Sequence, residues 1–170
     1  MTLTEWFILA LACLAGASSP GPSLALLVQT VITDGRKAGV VFGLAHGLGI
    51  FFYAFVVASG LNIALSFVPF LGIFIEISGL IFMMWLAFLM FKNSLAIDKF
   101  DEVEAFKASH SISWHARSGF LIVFLNPKVA IFFLAIFTQF LGENSSFEAK
   151  SLMVLTATVI DAGWHVFITF

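Results

Sequence analysis

Two charged residues stand where an apolar chain has little use for them. Lys128 sits in Asn126-Pro127-Lys128, inside a run that is otherwise apolar from about Gly119 to Leu141, and Asp161 sits in a later run that begins near Ser151. At the helical rise of about 1.5 Å per residue, Lys128 would lie about 14 Å in from the start of its run, and Asp161 about 15 Å in from the opposite side. An unpaired charge at such a depth in lipid costs at least about 2.5 kcal/mol, so each should face protein or water. Two readings follow. A lysine and a carboxylate that meet there are either an ion pair that fixes helix packing, or a switch. In the switch, the carboxylate's hold on a proton depends on whether Lys128 engages it or a substrate carboxylate, which is the minimum chemistry of an antiporter.

A second source of chemistry is backbone. Ser18-Ser19-Pro20-Gly21-Pro22-Ser23 interrupts an apolar run from about Trp6 to Val31. Each proline lacks an N–H, collides with the carbonyl one turn back and restricts the residue before it, so a helix must break or bend sharply here. Freed backbone groups at membrane depth are tolerated where protein or a wet cavity satisfies them, and interrupted helices build many transporter sites. The alternative is a plain proline kink in a packed helix. His46, in the next apolar run, is a candidate proton relay or substrate contact, or else a histidine satisfied by a nearby carbonyl. Ser18, Ser19 or Ser23 beside His46 could be drawn as nucleophile and base of an intramembrane hydrolase, but no orienting third group is visible, so the chain reads as a non-enzyme.

Composition sets the stage for both. Of 170 residues, 61% are hydrophobic and 11% charged, with 22 Phe, and the mean hydropathy is +1.06. That excludes an ordinary soluble domain. A net charge of -2 with scattered Lys and Arg argues against a nucleic-acid partner. The single Cys13 excludes an internal disulfide and a multi-cysteine metal or redox site, and is expected to be packing. No metal and no cofactor is called for. The stretch Phe7 to Ala17 lacks the basic flank of a signal peptide, with Glu5 in its place.

The sequence therefore predicts an all-α, polytopic membrane helix bundle forming a single domain over 1–170. Its expected segments run from about Thr4 to Thr33, Val40 to Leu61, Phe70 to Phe91, Gly119 to Leu141 and from Ser151 onward. Gly39, Gly43 and Gly47 recur at i, i+4, i+8, a small-residue stripe that lets another backbone come close. Glu76, near the start of the third segment, is expected at the interface. Residues 92–118, rich in mixed charge, are expected to be a solvated cytoplasmic loop whose His110 and His115 face water. Arg36 and Lys37 follow the first segment, and Lys92, Lys99, Lys107 and Arg117 the third. The positive-inside rule makes both connections cytoplasmic and puts the N-terminus outside. Proline breaks in helices one and four suggest a three-plus-three inverted repeat, which calls for a sixth helix beyond the five segments read here.

With these residues in hand, the chain resembles the lysine exporter (LysE/RhtB) family. The likeness is carried by Ser19-Pro20-Gly21-Pro22, Leu26-Leu27-Val28, Asp34-Gly35-Arg36-Lys37-Ala38-Gly39 and Gly43-Leu44-Ala45-His46-Gly47-Leu48-Gly49, then by Gly119-Phe120-Leu121, Leu125-Asn126-Pro127-Lys128, Phe132-Phe133 and Asp161 with Trp164. The resemblance implies a multi-pass protein of the bacterial inner membrane with about six helices, exporting amino acids or related small metabolites with protons as the driving partner. It implies Pro20, Gly21 and Pro22 as one broken-helix element, Asn126, Pro127 and Lys128 as its counterpart, and Asp161 as the acidic partner; Ser23 and His46 join them as candidates for the substrate and proton pathway on the reading of the residues alone. Gly79, Phe82, Met83 and Ala87 depart from the family's usual Gly, Tyr-Leu and Gly. Without a sixth helix, a truncated inactive transporter or a non-transporting membrane scaffold is the alternative, and assembly with a second copy stays open.

Overall fold

Helix starts and stops follow local chemistry. In the computed structural model, which describes residues 1–67, 77, 81, 84, 110–141 and 145–170, α1 spans Leu3–Ser18 behind a capping box. Thr2 Oγ1 accepts from the Glu5 N–H and Glu5 Oε2 accepts from the Thr2 N–H. The prolines end it, and α2 resumes at Pro22–Asp34 with Pro22 in the first turn, where its missing N–H costs nothing. Gly35, at a φ of 82° that suits glycine, turns the chain. It then enters α3, Arg36–Phe67. After the undescribed stretch come α4, Ile112–Leu125, α5, Pro127–Phe140, and α6, Phe147–Phe167.

α3 is the axis of the bundle, with α6 packed along one side and α4 along another. The small-residue stripe makes this possible. A Cβ at Gly43 would lie 3.2 Å from the backbone of His165 and Val166, and one at Gly47 would lie 2.5 Å from Ala162 Cβ. On the α4 side, a Cβ at Gly119 would collide with the Phe42 carbonyl. Phe42, His46, Ile50 and Ala54 of α3 are buried, while Leu44, Leu48, Phe52, Phe55 and Val56 are exposed. An outer surface this apolar suits hydrocarbon, not water.

Among the described residues, Arg36–Gly60 alone is long and apolar enough to cross a membrane. Each of the pairs α1–α2 and α4–α5 would make one more span, bent by 58° at its break. These bends are the proline interruptions that the sequence predicts in its first and fourth segments. α6 has the length, yet Asp161 and His165 make it more polar than its partners. Glu76, Gly79, Phe82, Met83 and Ala87 lie outside the described residues, as does the rest of the third segment apart from residues 77, 81 and 84.

Two expectations about the polar stretch are corrected. Residues 112–118 belong to α4 rather than to a loop, because Ser111 Oγ caps the helix by accepting from the Trp114 N–H. Residues 92–109 are outside the description. His115 does not face water. It is buried at 1% exposure, with Nε2 3.3 Å from Asp34 Oδ2, while the His110 N–H donates to Asp34 Oδ1 at 3.3 Å. His110 itself is exposed and stacks on Trp114. The start of α4 is thus tied to the α2–α3 turn. Thr169 packs on Gly39 at the same end, and the Arg36 guanidinium lies 5.9 Å above the Phe170 ring.

Candidate functional site

The two helix breaks face each other across the bundle. At the first, the Ser19 hydroxyl donates to the Gly16 carbonyl at 2.9 Å and the Ser18 hydroxyl to Ala15 at 3.2 Å. At the second, Asn126 Oδ1 accepts from the Lys128 N–H at 3.0 Å, capping α5. The same side chain then reaches across, its Nδ2 donating to Ser23 Oγ at 3.0 Å. Lys128 also crosses, and its Nζ donates to the Ser19 carbonyl at 2.5 Å. The Ala15, Gly16 and Ser19 carbonyls at the first break and the Lys128 N–H at the second are therefore met by protein partners, as a break at membrane depth requires. The hydroxyls of Ser18 and Ser19 donate to carbonyls, and the His46 Nδ1 is bonded to Asp161 rather than to Ser23, so among the described residues no serine is paired with a histidine base.

Between the breaks lies a cavity of about 500 Å³, counting the space at its mouth. α1 contributes Cys13 and Gly16, α2 contributes Ser23 and Leu24, α3 contributes His46 and Ile50, and α6 contributes Ala157, Asp161 and His165. Gly21 and Ser19 line it from the first break, and Asn126, Lys128, Phe132 and Phe133 from the second break and α5. A pocket mostly apolar with a few convergent polar groups suits a small organic ligand.

Of the residues the sequence singles out, Gly21, Ser23, His46, Asn126, Lys128 and Asp161 line this cavity. Pro20, Pro22 and Pro127 do not. Pro22 and Pro127 occupy the first turns of α2 and α5, and all three prolines act by setting the bends. The direct Lys128–Asp161 ion pair that the sequence suggests is not formed. Lys128 rests on a carbonyl, and Asp161, 8% exposed, is taken by two histidines. His46 Nδ1 lies 2.6 Å from Asp161 Oδ2, and His165 Nδ1 lies 3.4 Å from the same oxygen and 2.9 Å from the Asp161 carbonyl. The rings of His46 and His165 stack with centroids 4.1 Å apart.

His165 is the residue that sequence reading missed. Its signal was available: Asp161 and His165 are four apart, which places both on one face of a helix. The donor types of His46, Asp161 and His165, which lie within 4.8 Å of one another, also occur around metals. Here the contact between His46 Nδ1 and Asp161 Oδ2, at 2.6 Å, is a hydrogen bond. The hydrogen between His165 Nδ1 and the Asp161 carbonyl belongs to the ring, the one between His46 Nδ1 and Asp161 Oδ2 has either atom as its donor, and the other nitrogen of each ring is Nε2. Those two Nε2 atoms are buried and unpartnered.

The sequence profile of the LysE type translocator family matches residues 14–170. The chain belongs to that family. It is 25% identical over 165 residues to a threonine efflux protein of Salmonella typhi, covering 95% of this chain and 79% of that one. It is 26% identical over 153 residues to YahN, an uncharacterized membrane protein of Escherichia coli, covering 89% and 67%. It is 24% identical over 159 residues to YrhP, an uncharacterized membrane protein of Bacillus subtilis, covering 89% and 75%. No solved structure matches. This LysE-type chain is thus a translocator by family, an all-helical membrane protein and not an enzyme.

Proposed function

We propose that this LysE-type chain exports amino acids or related small metabolites, with threonine as the first substrate to test, and that protons drive it. The carrying observation is the cavity between the two breaks, where the Lys128 ammonium, among the described residues, is held by the neutral Ser19 carbonyl alone. A substrate carboxylate competes well for such a cation, since a charge-assisted hydrogen bond is about twice as strong as a neutral one. The substrate ammonium then lies toward the Asp161 end, and proton return resets the Asp161 cluster. The names of the threonine efflux relatives support the substrate class. The reading of Lys128 and Asp161 as a purely structural pair, as in a scaffold, has no direct contact to rest on.

The setting follows from charge. Arg36 and Lys37 begin α3 beside the Asp34 turn, and that turn is tied to the start of α4, which carries Arg117. By the positive-inside rule this end is cytoplasmic in the bacterial inner membrane, and the N-terminus of α1 is outside.

Counterflow of L-threonine in proteoliposomes tests the assignment. Lys128→Met should cut the rate about 10- to 150-fold, the loss of about 1.5–3 kcal/mol expected when a charged hydrogen bond to substrate is removed. Export by both Lys128→Met and Asp161→Asn at the rate of the unaltered protein would sink the site.

A further inference from the structure

The proton's address within the site can be read from the hydrogen bonds, taking the exporter reading above as its basis. Asp161 Oδ2 lies at the Nδ1 edges of two imidazoles that stack on each other, 2.6 Å from His46 Nδ1, while the Asp161 carbonyl accepts from His165 Nδ1. The carbonyl fixes the His165 tautomer and an ionised Asp161 would fix that of His46, leaving a lone pair at each Nε2. Both Nε2 atoms are buried without a partner, in side chains that line the cavity and are only 1% and 2% exposed. A proton arriving at Nε2 adds a charge to a buried site, and what offsets that cost is the Asp161 carboxylate, whose Oδ2 lies 2.6 Å and 3.4 Å from the Nδ1 atoms of the same two rings. We propose that the coupling proton binds at Nε2 of the His46–His165 pair, and that Asp161 stays ionised as the positioning residue that holds the two rings and balances the added charge.

Two consequences follow from the geometry. The ring centroids are 4.1 Å apart, too close for two imidazolium charges, so the pair takes one proton at a time. That proton and a substrate ammonium both depend on the one carboxylate of Asp161. Lys128 of α5 also faces the cavity and disfavours a second cation. Cys13 of α1, Ser19 at the first break, Ser23 of α2 and Asn126 at the α4–α5 break complete the polar side chains around it, and none of them adds a carboxylate. Proton and ammonium therefore exclude each other, which is the exclusivity an antiporter needs.

The test is the pH dependence of L-threonine binding to the purified full chain, measured by calorimetry, together with ¹⁵N-histidine NMR and infrared difference spectra of the unliganded protein. The apparent dissociation constant should rise by up to about tenfold per pH unit as the pair protonates and level off above that range. His165→Gln and His46→Gln should each flatten this dependence. N-acetyl-L-threonine, which has no ammonium, should show none of it. Acidification should protonate imidazole Nε2 without a carboxylic-acid C=O band. A C=O band that titrates over the same range and disappears in Asp161→Asn would overturn the proposal, as would an unchanged slope in both folded histidine variants. The spectra need neither variant nor substrate. Failure of L-threonine to bind at any pH, with Nε2 still titrating, would count against the exporter reading alone.

Discussion

The two helix breaks bend the chain by the same 58° and both place a proline in the first turn of the helix that follows. Their chemistry differs. The first uses three residues between helices, is capped by Gly21 without a side chain, and turns its serine hydroxyls back on its own last turn. What it offers the cavity is backbone, the Ser19 carbonyl above all. The second uses the single residue Asn126, which caps α5, bridges to Ser23 and is followed by the cation. What it offers is side chains. The repeated bend is geometry held in common, and the division between acceptor backbone and donor side chain is what makes a site between them.

Gly21 is where that division breaks most readily. Its φ of -174° is extended backbone that any residue adopts, so a side chain is excluded by its neighbour alone. A Cβ there would lie 3.2 Å from Lys128 Cδ and 3.5 Å from Nζ. Gly21→Val should push the lysine out of the place where a substrate carboxylate would meet it and lower L-threonine counterflow about tenfold, the equivalent of about 1.4 kcal/mol. The folded fraction in detergent should change little. Counterflow at the unaltered rate would mean that the first break contributes shape only.

Much of this arrangement was legible in the chain. Proline type and position gave both bends, and the Gly39, Gly43, Gly47 stripe gave a close backbone partner, which the structure identifies as α6. Charge depth marked Lys128 and Asp161 as inward-facing. What escaped was pairing. Two opposite charges at matching depth suggested each other, yet depth says nothing of azimuth, and in helices apolar on every face the inward direction is not written in the periodicity. Asp161 turned out to face His46 across the glycine stripe. His115 escaped for a related reason: it sits at the end of a polar run, and only the Ser111 cap and the carboxylate of Asp34 explain its burial.

Asn126 gives the next test of the comparison, because it serves both breaks at once. Asn126→Ala removes the α5 cap, worth about 1 kcal/mol, and the bond to Ser23. Unfolding in mixed micelles should show a loss of about 1–2 kcal/mol. Asn126→Asp keeps the cap and should recover the larger part of it. Equal losses for the two variants would mean that capping contributes nothing at the second break.

The smallest effect belongs to the bridge by itself. Ser23→Ala removes the oxygen that accepts from Asn126 Nδ2 and leaves a 3% exposed amide short of one partner. In water-soluble cores such a loss runs to about 1–3 kcal/mol, but side-chain hydrogen bonds within membranes average about 0.6 kcal/mol with a ceiling near about 1.7. The lower figure should hold here, because Ser23 and Asn126 both line the cavity and water entering it can take the freed donor. A double-mutant cycle of Ser23→Ala with Asn126→Ala isolates the coupling. A value near about 0.6 kcal/mol fits a wet chamber between the breaks, whereas one above about 1.7 kcal/mol would describe a dry seam that no polar substrate enters.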